Sequence, residues 1–135
     1  MNNTSAKEWL IKAWHNLSGA KIFYDVDHYT DVTAVELHYA VEKVLKSFLA
    51  FENKKIPKTH DLSEIHELVM SFINFDEDDL NLLDTITECH IEKSYPVFDR
   101  KMPPKEEIKE VLDFTEELFE KVCNILDIEL SEVQR

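Results

Sequence analysis

The run His38-Tyr39-Ala40-Val41-Glu42-Lys43-Val44-Leu45-Lys46-Ser47-Phe48-Leu49, followed shortly by Pro57-Lys58-Thr59-His60-Asp61-Leu62, decides the fold. In the first run Val41, Val44, Leu45, Phe48 and Leu49 recur at three- and four-residue spacing, which is the period of one apolar helix face. Val35, Leu37, Ala40 and Phe51 widen that face to a broad arc. A helix from Asp31 or Thr33 to Asn53 is therefore expected to be the most buried of the chain. Asn53-Lys54-Lys55-Ile56-Pro57 should stop it, because lysines suit the negative end of the helix dipole and the residue before a proline avoids helical geometry. Asp61 or Ser63 can open the next helix, which carries Leu62, Ile65, Leu68, Val69, Phe72 and Ile73.

Moving outward, Thr4 and Ser5 are cap candidates for a first helix, with Glu8 at the capping-box position of Ser5. Trp9, Leu10, Ala13, Leu17, Ala20 and Phe23 or Tyr24 form its apolar stripe, and Gly19 beside Ala20 is expected to permit close helix contact. Toward the C-terminus, Asp76-Glu77-Asp78-Asp79 reads as a helix N-terminus, where negative charge is favoured. Its helix would end near Tyr95-Pro96. A last helix follows Pro103-Pro104, since proline fits a first turn.

One glycine and four prolines in 135 residues leave little material for the tight turns of a sheet protein. The expectation is a single all-α domain over 1–135, an up-and-down antiparallel bundle of about five helices. No apolar run approaches the ~18 residues that span a bilayer, and Met1-Asn2-Asn3-Thr4-Ser5 lacks the basic and apolar regions of a signal peptide. A cytoplasmic location is expected. Cys89 and Cys123 are too few and too far apart for a disulfide framework, and six histidines without a His-Glu-x-x-His or Cys-x-x-Cys pattern give no metal site. No cofactor is expected.

The net charge of −13 argues against general nucleic-acid binding, which needs clustered basic groups to neutralise phosphates. The charge is unevenly spread. Residues 43–60 hold Lys43, Lys46, Lys54, Lys55 and Lys58 against the single acid Glu52, whereas residues 61–92 hold ten acids and no lysine or arginine. Such blocks offer one face to anions and another to a basic partner, or serve only as solvated helix faces. Lys43, Lys46, Lys58 and His60 are the candidate anion or nucleotide ligands. Glu42 stands four residues before Lys46, the spacing that favours an ion pair and would neutralise part of the patch. His60 and Asp61 read equally as a turn that locks the second helix against the third, with Asp61 satisfying free backbone amides.

Together these segments resemble the HEPN family of small prokaryotic helical domains. His38–Leu49 is similar to the family's second helix, and Thr59-His60-Asp61-Leu62 matches its Thr-His-Asp-Leu turn residue for residue. Ser94-Tyr95-Pro96 resembles its Arg-Tyr-Pro segment. The resemblance implies a homodimeric helical bundle, in some members a metal-independent endoribonuclease with an Arg-x(4–6)-His motif. This sequence has arginine only at Arg100 and Arg135, and neither precedes a histidine. The resemblance then implies the non-catalytic branch, whose members bind nucleotides or partner a minimal nucleotidyltransferase in toxin–antitoxin-like systems. The alternatives are a diverged ribonuclease built around His90, Tyr95 and Arg100, and a purely structural dimeric adaptor.

Overall fold

The computed structural model describes residues 1–94 and 102–135, with side chains for 1–88 and 102–135. Among the described residues five α-helices follow one another without a strand: α1 (Asn3–Asp25), α2 (Thr30–Phe51), α3 (Leu62–Val69), α4 (Glu77–Ser94) and α5 (Lys105–Ile125). A short 3-10 turn, Leu130–Glu132, closes the chain. The architecture is the antiparallel bundle that the apolar periodicity predicts, and α2 is its axis. α2 packs on α1, α3, α4 and α5, while α1 also meets α5 and α3 meets α4.

The apolar arc on α2 explains that position. Leu37, Ala40, Val41, Val44, Leu45 and Phe48 are wholly shielded from solvent, and burying each large aliphatic or aromatic side chain is worth about 1.5–3 kcal/mol. The α1 stripe of Ala6, Leu10, Ala13, Leu17 and Ala20 lies against this arc, and Ile108, Leu112, Phe119 and Val122 of α5 complete the core. Phe72, just past α3, stacks on Phe48 with ring centroids 4.6 Å apart.

Three long helices end in the same way, although the chain has one glycine to offer. Asp27, Asn53 and Asp127 adopt positive φ of 54°, 56° and 56°. In each case the next residue's amide reaches back to the helix: His28 to Phe23, Lys54 to Leu49 and Ile128 to Cys123, at 2.8–2.9 Å. The bonds Asp27 to Tyr24, Asn53 to Ala50 and Asp127 to Asn124 complete Schellman motifs. Aspartate and asparagine tolerate the left-handed region better than other residues with a Cβ, so they take the usual place of glycine.

Two local expectations need correction. α1 starts at Asn3, not after Thr4 or Ser5, because Asn2 is the cap: its Oδ1 accepts from the Ser5 amide at 3.0 Å. Asn2 also donates from Nδ2 to Asn53 Oδ1 and from its amide to the Phe51 carbonyl, both at 2.8 Å, which pins the start of α1 to the end of α2. Gly19 does not permit close contact, since a Cβ there would meet nothing within 4 Å. Only Ala20 is in the core.

Gly19→Ala should therefore stabilise the protein by roughly 0.5–1 kcal/mol, the helix-propensity difference at an unobstructed interior position. Urea denaturation should show a higher midpoint at unchanged slope; an unchanged or lower midpoint would mean that α1 needs glycine there.

Candidate functional site

Polar side chains follow one line down the inner face of α2. His38, Glu42 and Lys46 are spaced four residues apart, and all three are buried among the bundle's apolar residues. The connection from α2 to α3 brings His60 against the same line. The Glu42 carboxylate is the centre: Oε2 accepts from Lys46 Nζ at 2.9 Å, and Oε1 accepts from His60 Nδ1 at 2.8 Å. His38 Nδ1 lies 3.7 Å from the same Oε1, and His38 Nε2 donates to the His60 carbonyl at 2.8 Å. A carbonyl can only accept, so His38 carries a proton on Nε2, and His60 carries one on Nδ1 to meet an ionised Glu42.

Burial by itself raises the Glu42 pKa, but hydrogen bonds from His60 and Lys46, with the charge beside them, outweigh it and hold the carboxyl below its ordinary 4.5. The group is therefore ionised at neutral pH. It serves both helices, joining a residue four positions on in α2 to the turn that leads into α3.

That turn is built from its own side chains. Thr59 Oγ1 donates to Glu64 Oε2 at 2.6 Å and accepts from the Asp61 amide at 3.1 Å. Asp61 caps α3, its Oδ1 accepting from the Ser63 amide at 3.0 Å. Ser63 Oγ in turn donates to Asp84 Oδ1 at 3.1 Å, tying α3 to α4. The Thr-His-Asp-Leu sequence thus builds and caps the start of α3 and, through His60, bonds it to α2, with Leu62 wholly buried.

The sequence-derived ligand candidates do not share one surface. Lys46 is 4% exposed and its ammonium is committed to Glu42. His60 is outermost, its side chain 57% exposed while Nδ1 is held by Glu42. Lys58 is exposed on the α2–α3 connection. Lys43 turns the other way, toward α1, and donates to Asn16 Oδ1 at 2.7 Å, while Asn16 Nδ2 donates to Glu36 Oε2 at 2.7 Å. Burial lowers the Lys43 pKa; Glu42 and Glu36 oppose that shift, and Lys12 and Lys46 add to it. Tyr95 and Arg100 lie outside the described residues, and of His90 only the backbone, within α4, is described.

Other reactive groups are quiet. His66 is buried, donates from Nε2 to the Ile73 carbonyl at 3.2 Å and lies against Phe75, as a satisfied core histidine does. Burial pushes the Cys123 thiol up to about 11, with the Glu120 charge adding to the shift, so no thiolate nucleophile forms there near neutral pH. Among the described residues no group of three or more histidine, cysteine, aspartate or glutamate side chains is placed to hold a metal ion. No helix among them is long and apolar enough to cross a membrane.

A helical bundle with a buried polar line on its axial helix, clamped by a Thr-His-Asp-Leu turn, defines a class that comparison with known proteins makes specific. Residues 6–126 match the model of the HEPN domain, and the chain belongs to the HEPN family. The crystal structure of TT1696 from Thermus thermophilus is similar in fold, with a TM-score of 0.74 over 89% of this chain and 97% of that one, at 20% identity. No curated protein matches.

Two outcomes follow from the Glu42 geometry. Glu42→Leu leaves the Lys46 ammonium buried without its partner and should cost about 3–5 kcal/mol, whereas Glu42→Leu combined with Lys46→Met should recover most of that loss. Chemical denaturation of the three proteins measures this, and equal stability of wild type and Glu42→Leu would contradict it. The second outcome concerns pH. A carboxyl held below its ordinary value contributes stability that is present above pH 4.5 and disappears as the pH falls below 4.5 through the lowered value. Wild-type denaturation midpoints should therefore fall more steeply below pH 4.5 than those of Glu42→Gln, and parallel profiles would argue against the assignment.

Proposed function

We propose that this chain is a non-catalytic binding and regulatory module of the HEPN family. It takes a nucleotide, a minimal nucleotidyltransferase partner or both, and acts as a homodimer in a two-component system of toxin–antitoxin type. One observation carries the reading: His60 and Lys46, the groups at the α2–α3 junction best suited to proton transfer and phosphate binding, are both bonded to an ionised Glu42. A histidine whose Nδ1 is fixed to a carboxylate and whose own carbonyl anchors a second histidine is part of a helix clamp. The sequence supports the same reading, since no arginine precedes any histidine as the family's ribonuclease motif requires.

Lys58 and the outer edge of His60 can meet an anion on the α2–α3 connection, and Lys43 can meet one only on the separate α1 side, while the Lys46 charge is spent on Glu42. The acid-rich residues 61–92 suit a basic protein surface, which is the contribution expected of charge complementarity to partner choice.

The reading predicts two results from one preparation. RNA incubated with micromolar protein, without metal, should stay intact. Nucleotides should raise the melting temperature, because a ligand that binds only the folded state stabilises it by about 2.7 kcal/mol at a hundredfold excess over its Kd. Metal-independent RNA cleavage would overturn the reading, as would the lack of a shift with every nucleotide in a preparation that brings down no nucleotidyltransferase from its own cells.

A further inference from the structure

A small groove of about 110 Å³ opens between the α3–α4 link and α5. Buried Ile73, Phe75 and Leu118 and half-buried Phe114 give it an apolar floor; Asp79 from the first turn of α4 and the exposed Glu117 and Lys121 of α5 supply its polar groups. Small-molecule sites usually measure ~300–1,000 Å³, so this recess suits a single side chain rather than a whole ligand. Its floor is fixed from behind. His66 donates to the Ile73 carbonyl and lies against Phe75 with ring centroids 4.5 Å apart, and Phe114 meets Phe75 at 5.8 Å. A recess that already holds its shape loses little freedom when it is filled.

The acidity of the groove follows from the sequence. No lysine or arginine stands between Lys58 and Lys93, so Asp76, Glu77, Asp78 and Asp79 enter α4 with no cation of their own segment beside them. Asp79 is held by reciprocal bonds with Asp76: its amide donates to Asp76 Oδ1 at 2.8 Å, and its Oδ2 accepts from the Asp76 amide at 3.2 Å. Its Oδ1 makes no such bond among the described residues. Lys121 is the one cation lining the groove. It stands four residues after Glu117, the spacing that favours an ion pair, yet the two form none.

We infer that this groove receives an arginine side chain from a basic segment of a partner protein, with the guanidinium against the Phe114 ring and bonded to Asp79 and Glu117. The inference rests on the reading above that the acid-rich residues meet a basic protein surface, and it gives that surface one anchoring contact. An aromatic floor beside two carboxylates selects the occupant. A guanidinium is flat and weakly hydrated, stacks on an aromatic face and has enough N–H groups to serve two carboxylates at once. An ammonium is a strongly hydrated point charge and uses the ring less well. Lys121 competes with the incoming cation, which must move that ammonium aside.

The experiment titrates the full chain with blocked tetra-arginine and tetra-lysine peptides at one ionic strength, read by calorimetry and by backbone amide shifts in NMR spectra. Wild type, Glu117→Gln, Phe114→Leu, Lys121→Ala and Asp25→Asn are compared. Asp25 is exposed at the end of α1, so its substitution removes one negative charge away from the groove. The expected result is tighter binding of tetra-arginine than of tetra-lysine, with the shifts concentrated at residues 73–79 and 114–121. Glu117→Gln and Phe114→Leu should each weaken tetra-arginine roughly threefold or more. Lys121→Ala should tighten it, which a diffuse attraction to the acidic surface and a purely structural groove do not both require, and Asp25→Asn should leave it unchanged. Equal affinity for the two peptides, or equal effects of Glu117→Gln and Asp25→Asn, overturns the arginine site and leaves the basic-partner reading standing. Absence of binding of either peptide overturns the site and that reading together.

Discussion

The Glu42 carboxylate is the constraint on which the rest of this bundle depends. It is a charge inside the protein, and a buried charge is tolerable only when it is paired and hydrogen-bonded. Lys46 neutralises it from within α2, and His60 reaches it from the following turn. His38, one turn earlier, then holds the backbone of that turn through the His60 carbonyl. Apolar contacts between helices are non-directional and allow sliding; these bonds fix one register of the α2–α3 junction. Through Ser63 and Asp84 the constraint extends to α4.

This arrangement separates the work of the two sides of α2. The inner side, where histidine, glutamate and lysine gather, is a clamp whose polar groups answer one another. On the outer side Lys43 meets α1, where Asn16 holds its ammonium and the nearby Glu42 and Glu36 offset its charge.

Much of the fold was legible in the sequence because apolar periodicity reports burial directly. The Val41–Leu49 run identified the axial helix, and Pro57 and Pro103-Pro104 marked boundaries that the structure keeps. The helix ends were less legible. Asp27, Asn53 and Asp127 act where glycine usually would, and a search for glycine passes over them. Asn2 was missed as a cap although its bond to the Ser5 amide is local, because Thr4 and Ser5 beside it are cap residues too; its second bond, to Asn53 fifty-one residues away, was not readable. In the site, the Glu42–Lys46 pair was readable from i,i+4 spacing and the Asp61 cap from its place before Leu62. The entry of His60 and His38 into the same network was not, because it requires the α2–α3 connection to fold back onto α2. The divergence of Lys43 from Lys46 was hidden for a similar reason. Three residues apart on one helix, they sit close in angle, and only the packing of α1 against α2 draws one outward to Asn16 and leaves the other inside. Trp9 was read as part of the α1 apolar stripe, but it is only half-buried and lines a groove with Lys12 and Lys43, which is a product of helix pairing.

The central claim is that His60 and His38 are structural members of a Glu42-centred clamp. The protonation sites of their rings test it most directly, and long-range proton–nitrogen NMR spectra of the folded protein at neutral pH report them. The account predicts a proton on His60 Nδ1, with the shift of a hydrogen bond to carboxylate, and a proton on His38 Nε2. A neutral His60 with its proton on Nε2, the form preferred by a free imidazole, together with spectra unchanged by Glu42→Gln, would contradict it.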